Sequence, residues 1–301
     1  MSMLVPPIAP IPPTVWGRHR LDWGSRTYVM GILNITPDSF SLDGFAFAGA
    51  TREEIVAEAV ARARRMVSDG ARLIDVGGES TRPSTVGQPS LDPAIERERV
   101  LPVIAALAEA LPAETILSID TYHAETAAAA LDAGASMVND VRGLRADPAM
   151  APLVAERGVP VVLMSNLRGE PHPDPLAAVA RMLAHSLDLA RAAGTPEDRI
   201  ILDPGFGFGL VGGENLRVLA RLGSLRVFGR PLLVGVSRKA HIGQVLGTPV
   251  DDRVEGTAAE VALSIAQGAD IVRVHDVRVM ARVAKMADAV VRGWNEDEAA
   301  R

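Results

Sequence analysis

The residues able to do chemistry in this chain stand at the ends of apolar runs. The clearest case is Ile200-Ile201-Leu202-Asp203-Pro204-Gly205-Phe206-Gly207-Phe208-Gly209, where an apolar stretch meets an aspartate and then breaks into Pro and alternating Gly. A short β-branched run bounded by breakers reads as a buried strand of a parallel sheet, which puts Asp203 where strand becomes loop. Alone, such a carboxylate could equally cap the next helix. The pattern recurs, however. Other runs end at Asn34, at Asp75 (with Glu79, Thr81 and Arg82 just beyond), at Asp120, at Asn139-Asp140 and at Met164, and two more carry Ser237-Arg238-Lys239 and Arg273 with His275. Burying this many polar groups without partners would cost about 1–3 kcal/mol apiece. A shared ligand would satisfy them.

The residue types divide by chemistry. Asp120, Asn139 and Asp203 suit a neutral ligand edge bearing several N–H donors, such as an aminopyrimidinone. Lys239, Arg273 and His275, with the amide of Asn34, suit an anion, for which Arg gives a bidentate fork. A heterocycle joined to a phosphate-like group fits both.

The elements that must position these residues are strands at Tyr28 to Asn34, Leu73 to Gly77, Thr115 to Asp120, Ser136 to Asp140, Val159 to Met164, Ile200 to Asp203, Pro231 to Val236 and Ile271 to His275, each followed by a helical stretch. Thr51-Arg52-Glu53-Glu54 is a capping box that opens a helix running to about Ser68. Gly70, Gly134 and Gly268 stop helices directly before strands. Eight alternating β and α elements predict an α/β fold, a (β/α)8 TIM barrel, with its chemistry at the C-terminal strand ends. The rival, an open doubly wound sheet, would carry a Gly-rich dinucleotide loop after its first strand. Asn34-Ile35-Thr36-Pro37-Asp38 is not such a loop. Arg20 to Arg26 reads as a short hairpin leading into the barrel. The expected organisation is an arm and hairpin over 1–27, one barrel domain over 28–295 and a tail over 296–301, with Arg168 to Asp174 as one long loop.

Composition narrows the function. With 48% hydrophobic but only 4% aromatic residues, Ala, Val, Leu and Ile must fill the core of the 301-residue chain. A net charge of −6 argues against a nucleic-acid binder relying on bulk positive charge. The absence of Cys excludes disulfides and thiolate metal sites. No apolar run approaches the ~20 residues of a membrane span. Met1 to Val15 is Pro-rich, without the regions of a signal peptide, and reads as a loose arm. A cytoplasmic protein without nucleic-acid or membrane partners is expected.

Seven motifs then occur in order: Met30-Gly31-Ile32-Leu33-Asn34-Ile35-Thr36-Pro37-Asp38-Ser39-Phe40, Asp75-Val76-Gly77-Gly78-Glu79-Ser80-Thr81-Arg82-Pro83, Ser118-Ile119-Asp120-Thr121, Val138-Asn139-Asp140, Asp203 to Gly209, Ser237-Arg238-Lys239, and Arg273-Val274-His275-Asp276. From about Tyr28 to Trp294 the chain closely resembles the dihydropteroate synthase family, (β/α)8 enzymes of folate biosynthesis. The resemblance implies that 6-hydroxymethyl-7,8-dihydropterin diphosphate reacts with p-aminobenzoate to give 7,8-dihydropteroate and diphosphate. It implies that Asp120, Asn139 and Asp203 hold the pterin and that Met164, Phe208 and Gly235 wall its ring. Lys239 would bond the pterin and, with Phe40, Thr81 and Pro83, shape the p-aminobenzoate pocket. Asn34, Thr81, Arg82, Arg273 and His275 would serve the diphosphate, with Asn34 also coordinating Mg2+. Lys239, Arg273, His275 and Asp120 would form the catalytic set. The first loop (Asp38, Phe40, Asp43) and the second (Thr81, Arg82, Pro83) would close over the site. A homodimer through the late helices is also implied; the apolar stripe Val272, Val277, Met280, Val283 and Met286 reads as helix core or a dimer face.

The chain departs from the family pattern in four places. Ser165-Asn166 replaces a His after the fifth strand, Leu210 stands where a Lys is usual, Ala240 stands where Ser or Arg is common, and the first loop is one residue longer over Ser41 to Phe45. These touch the anion side and the loops, and they leave a pterin-binding paralogue with little synthase activity as an alternative. A pterin-binding methyltransferase is a further one, but it has no diphosphate to hold and would leave Ser237-Arg238-Lys239, Arg273 and His275 without a purpose. Trp16, Trp23 and Trp294 read as local packing near the chain ends.

Overall fold

The computed structural model describes residues 10–36, 50–79, 91–170 and 172–294. Asp38, Phe40, Asp43, Thr81, Arg82 and Pro83 lie outside them. The first elements are two short antiparallel strands, β1 (Thr14–Trp16) and β2 (His19–Leu21), with Thr14 opposite Leu21. This hairpin sits upstream of the Arg20 to Arg26 stretch expected from sequence. Its turn is at Gly17, whose φ of 49° supplies the positive dihedral a two-residue hairpin loop needs.

The barrel strands are β3 (Tyr28–Asn34), β4 (Leu73–Gly77), β5 (Ile116–Asp120), β6 (Met137–Asp140), β7 (Val161–Met164), β8 (Ile200–Asp203), β9 (Leu233–Val234) and β10 (Ile271–Val274). All pair in parallel, in the order β8-β7-β6-β5-β4-β3-β10-β9. A parallel bridge between Leu202 and Leu232, with Leu202 N–H donating to the Pro231 carbonyl (2.9 Å), joins the two ends. The TIM barrel expected from the alternating pattern is therefore the fold. The seventh barrel strand is shorter than Pro231 to Val236: Pro231 has no N–H for a ladder, and the chain leaves the sheet at Gly235 to turn back at Lys239.

Helices α1 (Arg52–Ser68), α2 (Pro93–Ala110), α3 (Ala124–Asp132), α4 (Met150–Arg157), α5 (Pro175–Ala192) and α6 (Gly213–Ala220) follow successive strands. The seventh strand is followed by two, α7 (Ala240–Leu246) and α8 (Val254–Ala266), and the last by α9 (Val277–Val291). The capping box forms as read: Thr51 accepts from Glu54 N–H and Glu54 accepts from Thr51 N–H. Gly70, Gly134 and Gly268 all take positive φ at the helix-to-strand turns.

Side chains alternate across each strand, so every second residue faces the barrel axis. One set, Met30, Leu73, Ile116, Met137, Val162, Ile201, Leu233 and Ile271, fills the interior with Trp16 and Leu21 of the hairpin, which seals the floor. The alternate residues, such as Ile74, Val76, Leu117, Ile119 and Val138, pack outward with the helices. Two residues above the floor on several strands the same inward register delivers Asp75, Ser118 and Asn139, and the pleat thus forces a polar layer onto the C-terminal face.

Trp16 is buried in the floor and its indole N–H donates to the Ser136 carbonyl at 2.7 Å. Trp16→Ala should lower unfolding stability by about 3–5 kcal/mol, read as a reduced urea midpoint.

Candidate active site

An ionic knot stands at the centre of the polar layer. Arg273 Nε donates to Asp75 Oδ2 at 2.6 Å and Nη2 donates to Asp120 Oδ2 at 2.6 Å. Asn139 Nδ2 donates to the same Asp75 oxygen at 2.9 Å. Asp75 Oδ1 and Asn139 Oδ1 are buried acceptors with no partner among the described residues. Burial pushes the Asp120 carboxyl up to about 7, against the pull of Arg273 and with reinforcement from Asp75, Glu96 and Asp140. Burial opposes the charge on Arg273, but Asp75 and Asp120 outweigh it and hold the guanidinium firmly protonated. The division into a carboxylate half and a cationic half is therefore not what the chain builds: Arg273 is bonded to the carboxylates.

Asp203 sits beside this knot, its Oδ1 accepting from Gly205 N–H at 2.7 Å. Burial pushes it up to about 6, opposed by that hydrogen bond and by Lys239 and Arg273. Gly205 has φ +75°, and a Cβ there would collide with the Ser165 carbonyl, so only Gly allows this turn. Phe208, Met164 and Val141 pack together with Tyr122 into a small apolar wall. Lys239 Nζ lies 4.6 Å from the Phe208 ring centroid. Burial pushes its ammonium down to about 8, aided by Arg273 and opposed by Asp203. Open space lies where a Gly235 side chain would be.

On the neighbouring strands, Ser237 Oγ accepts from His275 N–H (3.1 Å) and lies 3.0 Å from His275 Nδ1. Burial, with Arg238 and Arg273, pushes His275 down to about 3, so it is a neutral donor rather than a cation. Arg238 takes φ 56° and binds Asp276 through Nε (3.0 Å) and Nη2 (2.6 Å), tying the Lys239 loop to the end of β10. A Cβ at Gly77 would lie 3.2 Å from Asn34 Oδ1 and 3.7 Å from Asp120 Oδ2. Asp120 Oδ2 is taken by Arg273, so the hard oxygen left beside this bare glycine, of the kind Mg2+ takes, is the Asn34 amide oxygen.

Several residues not singled out from sequence prove structural to the site. Asp75 was visible as a strand end, but not as the group shared by Arg273 and Asn139. Asn215 accepts from Gly207 N–H (2.9 Å) and donates to the Leu210 carbonyl (3.1 Å), clamping the Gly-Phe-Gly turn. Glu96 accepts from Thr121 Oγ1 and lies 2.9 Å from His123 Nδ1, while Glu79 accepts from Leu91 N–H, so these groups brace the second and third loops. Glu79, Glu96 and His123 stand within 4.8 Å of one another.

Three of the four departures are also placed; the longer first loop, over 41–45, lies outside the described residues. Leu210 is buried in the core between sheet and helices. Asn166 bonds the Val141 carbonyl (3.1 Å) and so links the loops after β6 and β7, while Ser165 is buried with its Oγ unpartnered among the described residues. Ala240 is exposed as the first residue of α7. Trp23 packs locally against Tyr28, but Trp16 reaches the barrel floor and the Ser136 carbonyl, and Trp294 is largely exposed.

A family model described as pterin binding enzyme matches residues 30–275. A dihydropteroate synthase of Synechocystis is 44% identical over 290 residues, covering 93% of this chain and 96% of that protein. The dihydropteroate synthase of Clostridium difficile, solved in the presence of pteroic acid, superposes with a TM-score of 0.83 at 43% identity, covering 90% of this chain and 99% of that one. That of Xanthomonas albilineans with 4-aminobenzoic acid gives 0.81 at 41% identity, covering 90% and 95%. With its barrel, its polar strand ends and nearly its full length matched by these proteins, the chain belongs to the dihydropteroate synthase family.

Proposed function

We propose that this protein condenses 6-hydroxymethyl-7,8-dihydropterin diphosphate with p-aminobenzoate, releasing diphosphate and 7,8-dihydropteroate. The observation that carries the reading is the buried layer of Asp75, Asp120, Asn139 and Asp203 around Arg273, whose free acceptors match the N–H edge of an aminopyrimidinone. Asp203, with Asp120 and Asn139, holds the pterin edge. Met164 and Phe208 flank its ring, and Gly235 leaves room for it. Lys239 donates to the ring system. Arg273, His275 and Asn34 receive the diphosphate. Mg2+, held by Asn34, adds positive charge at the leaving group when bound.

The aniline nitrogen uses its lone pair to form the new C–N bond at the pterin methylene carbon, the C–O bond to diphosphate breaks with its electrons leaving on oxygen, and the nitrogen gives up one N–H proton to the departing diphosphate. Charge therefore grows on the anion, and fixed donors placed there lower the barrier without reorganising. An aniline is neutral near pH 7, so orientation counts for more than a strong base. The apolar side chains left exposed on α8 and α9, Leu263, Met286 and Val290, support a homodimer through these helices. No helix among the described residues is long and apolar enough to cross a membrane, and with the absence of Cys this supports a cytoplasmic enzyme.

Incubation with both substrates and Mg2+ should yield dihydropteroate, and chelation should abolish it; no product with Mg2+ present would refute the reaction. Asp203→Asn should weaken pterin binding roughly 100-fold by calorimetry, since an ionic acceptor becomes an amide with a misplaced donor. In the native protein that affinity should fall as pH drops from 7 to 5, by up to about tenfold per unit. The sign follows from Asp203: raised to about 6, it is an anionic acceptor above that pH and takes up a proton below it. Sedimentation should give twice the chain mass for the native protein and the monomer for Met286→Lys with Val290→Lys.

A further inference from the structure

Two arginines from the loops after β6 and β7 cover aromatic rings at the barrel mouth. Arg142 Cζ stands 5.4 Å from the Tyr122 ring centroid, and Arg168 Cζ stands 4.5 Å from that of Phe208. Lys239 Nζ lies 4.6 Å from the same Phe208 ring. A backbone bond from Leu167 N–H to the Phe208 carbonyl (2.8 Å) zips the two loops and holds Arg168 beside the ring. The cations are close enough to disfavour one another's charge: Arg142 does so at Arg168, and Arg168 does so at Lys239. A flat apolar wall edged by such positive charge is complementary to an aromatic carboxylate, ring to ring and carboxylate to guanidinium.

The proposed reaction has two anionic groups to place. The diphosphate falls to Asn34, Arg273 and His275, on β3 and beside it on β10. In the strand order β7 lies directly across the barrel from β3, four strands away in either direction once the ends are joined. Arg168, two loops' width from β10, therefore serves a different anion. The pterin occupies the inner polar layer, so an amine attacking its methylene carbon must direct its para substituent outward to the rim. Ala240, following Lys239, has no polar side chain to meet it there.

We propose that Arg168 binds the carboxylate of p-aminobenzoate and makes the site prefer an anionic amine. This rests on the reaction proposed above. The test compares kcat/KM for 4-aminobenzoate and for the neutral 4-aminobenzamide, at saturating dihydropterin diphosphate and Mg2+, in the native protein, Arg168→Gln and Arg168→Lys. The acid-over-amide ratio should fall about tenfold in Arg168→Gln, the worth of one charge-assisted hydrogen bond, through a raised KM for the acid. Arg168→Lys should retain most of the ratio, and it decides the matter if the glutamine variant does not fold. An unchanged ratio, including equal losses with both amines, overturns the assignment, as does a lysine variant no better than glutamine. Product from neither amine in the native protein overturns the reaction itself, and Arg168's part with it.

Discussion

Arg273 is held between two aspartates, mostly out of solvent, and the geometry of the barrel mouth follows from that contact. A guanidinium in this position is tolerable only while both carboxylates hold it; removing one partner of a buried pair typically costs about 3–5 kcal/mol. Arg273 starts from β10 and reaches past β3 to Asp75 on β4 and Asp120 on β5. It therefore ties non-adjacent strands across the barrel axis, something the backbone ladder cannot do. Asn139 is fixed in turn by its bond to Asp75, and its other amide atom, an oxygen without a partner among the described residues, is held in a set orientation. Binding groups held this way lose little entropy when substrate arrives.

The same knot governs the charge of the site. Arg273 and its two aspartates sum to one negative charge if both carboxyls ionise, and burial resists that, which is why Asp120 is lifted to about 7. His275, neutral beside Arg273, avoids adding a second buried cation. Among the described residues, nothing bonds the Nη1 of Arg273. An anion can be received there without breaking either aspartate bond.

Much of this was legible in the chain because a parallel strand buried on both faces announces itself. A polar residue ending such a run, as Asp120, Asn139 and Asp203 do, marks the strand's C-terminal end directly. What the chain did not disclose was pairing. Arg273 and Asp75 are 198 positions apart, and no local pattern says that a residue suited to phosphate will spend two of its donors on carboxylates. Nor could residue type reveal that His275 is uncharged, because that follows from burial and from two neighbouring arginines. The hairpin was misplaced because both Gly17 and Gly24 can turn a chain, and only the packing of Trp16 and Leu21 into the barrel floor selects the first. The short β9 reflects a proline at its start and a glycine at its end, breakers that the apolar content of Pro231 to Val236 concealed.

The departures from the family pattern sort themselves by burial. Leu210 lies within the core, where a lysine would have to carry its charge among apolar side chains; the clamp from Asn215 uses only the backbone of this residue and is indifferent to its side chain. Ser165 and Asn166 sit behind the apolar wall, where the amide of Asn166 joins the loops after β6 and β7. At Asn166 the substitution alters how the loops are held. Ala240 is different, being exposed and directly after Lys239. A polar group lost there must be replaced from an adjacent loop or left unreplaced. The loop after β7, fastened to Phe208 by its backbone, already brings a guanidinium to the ring that Lys239 borders.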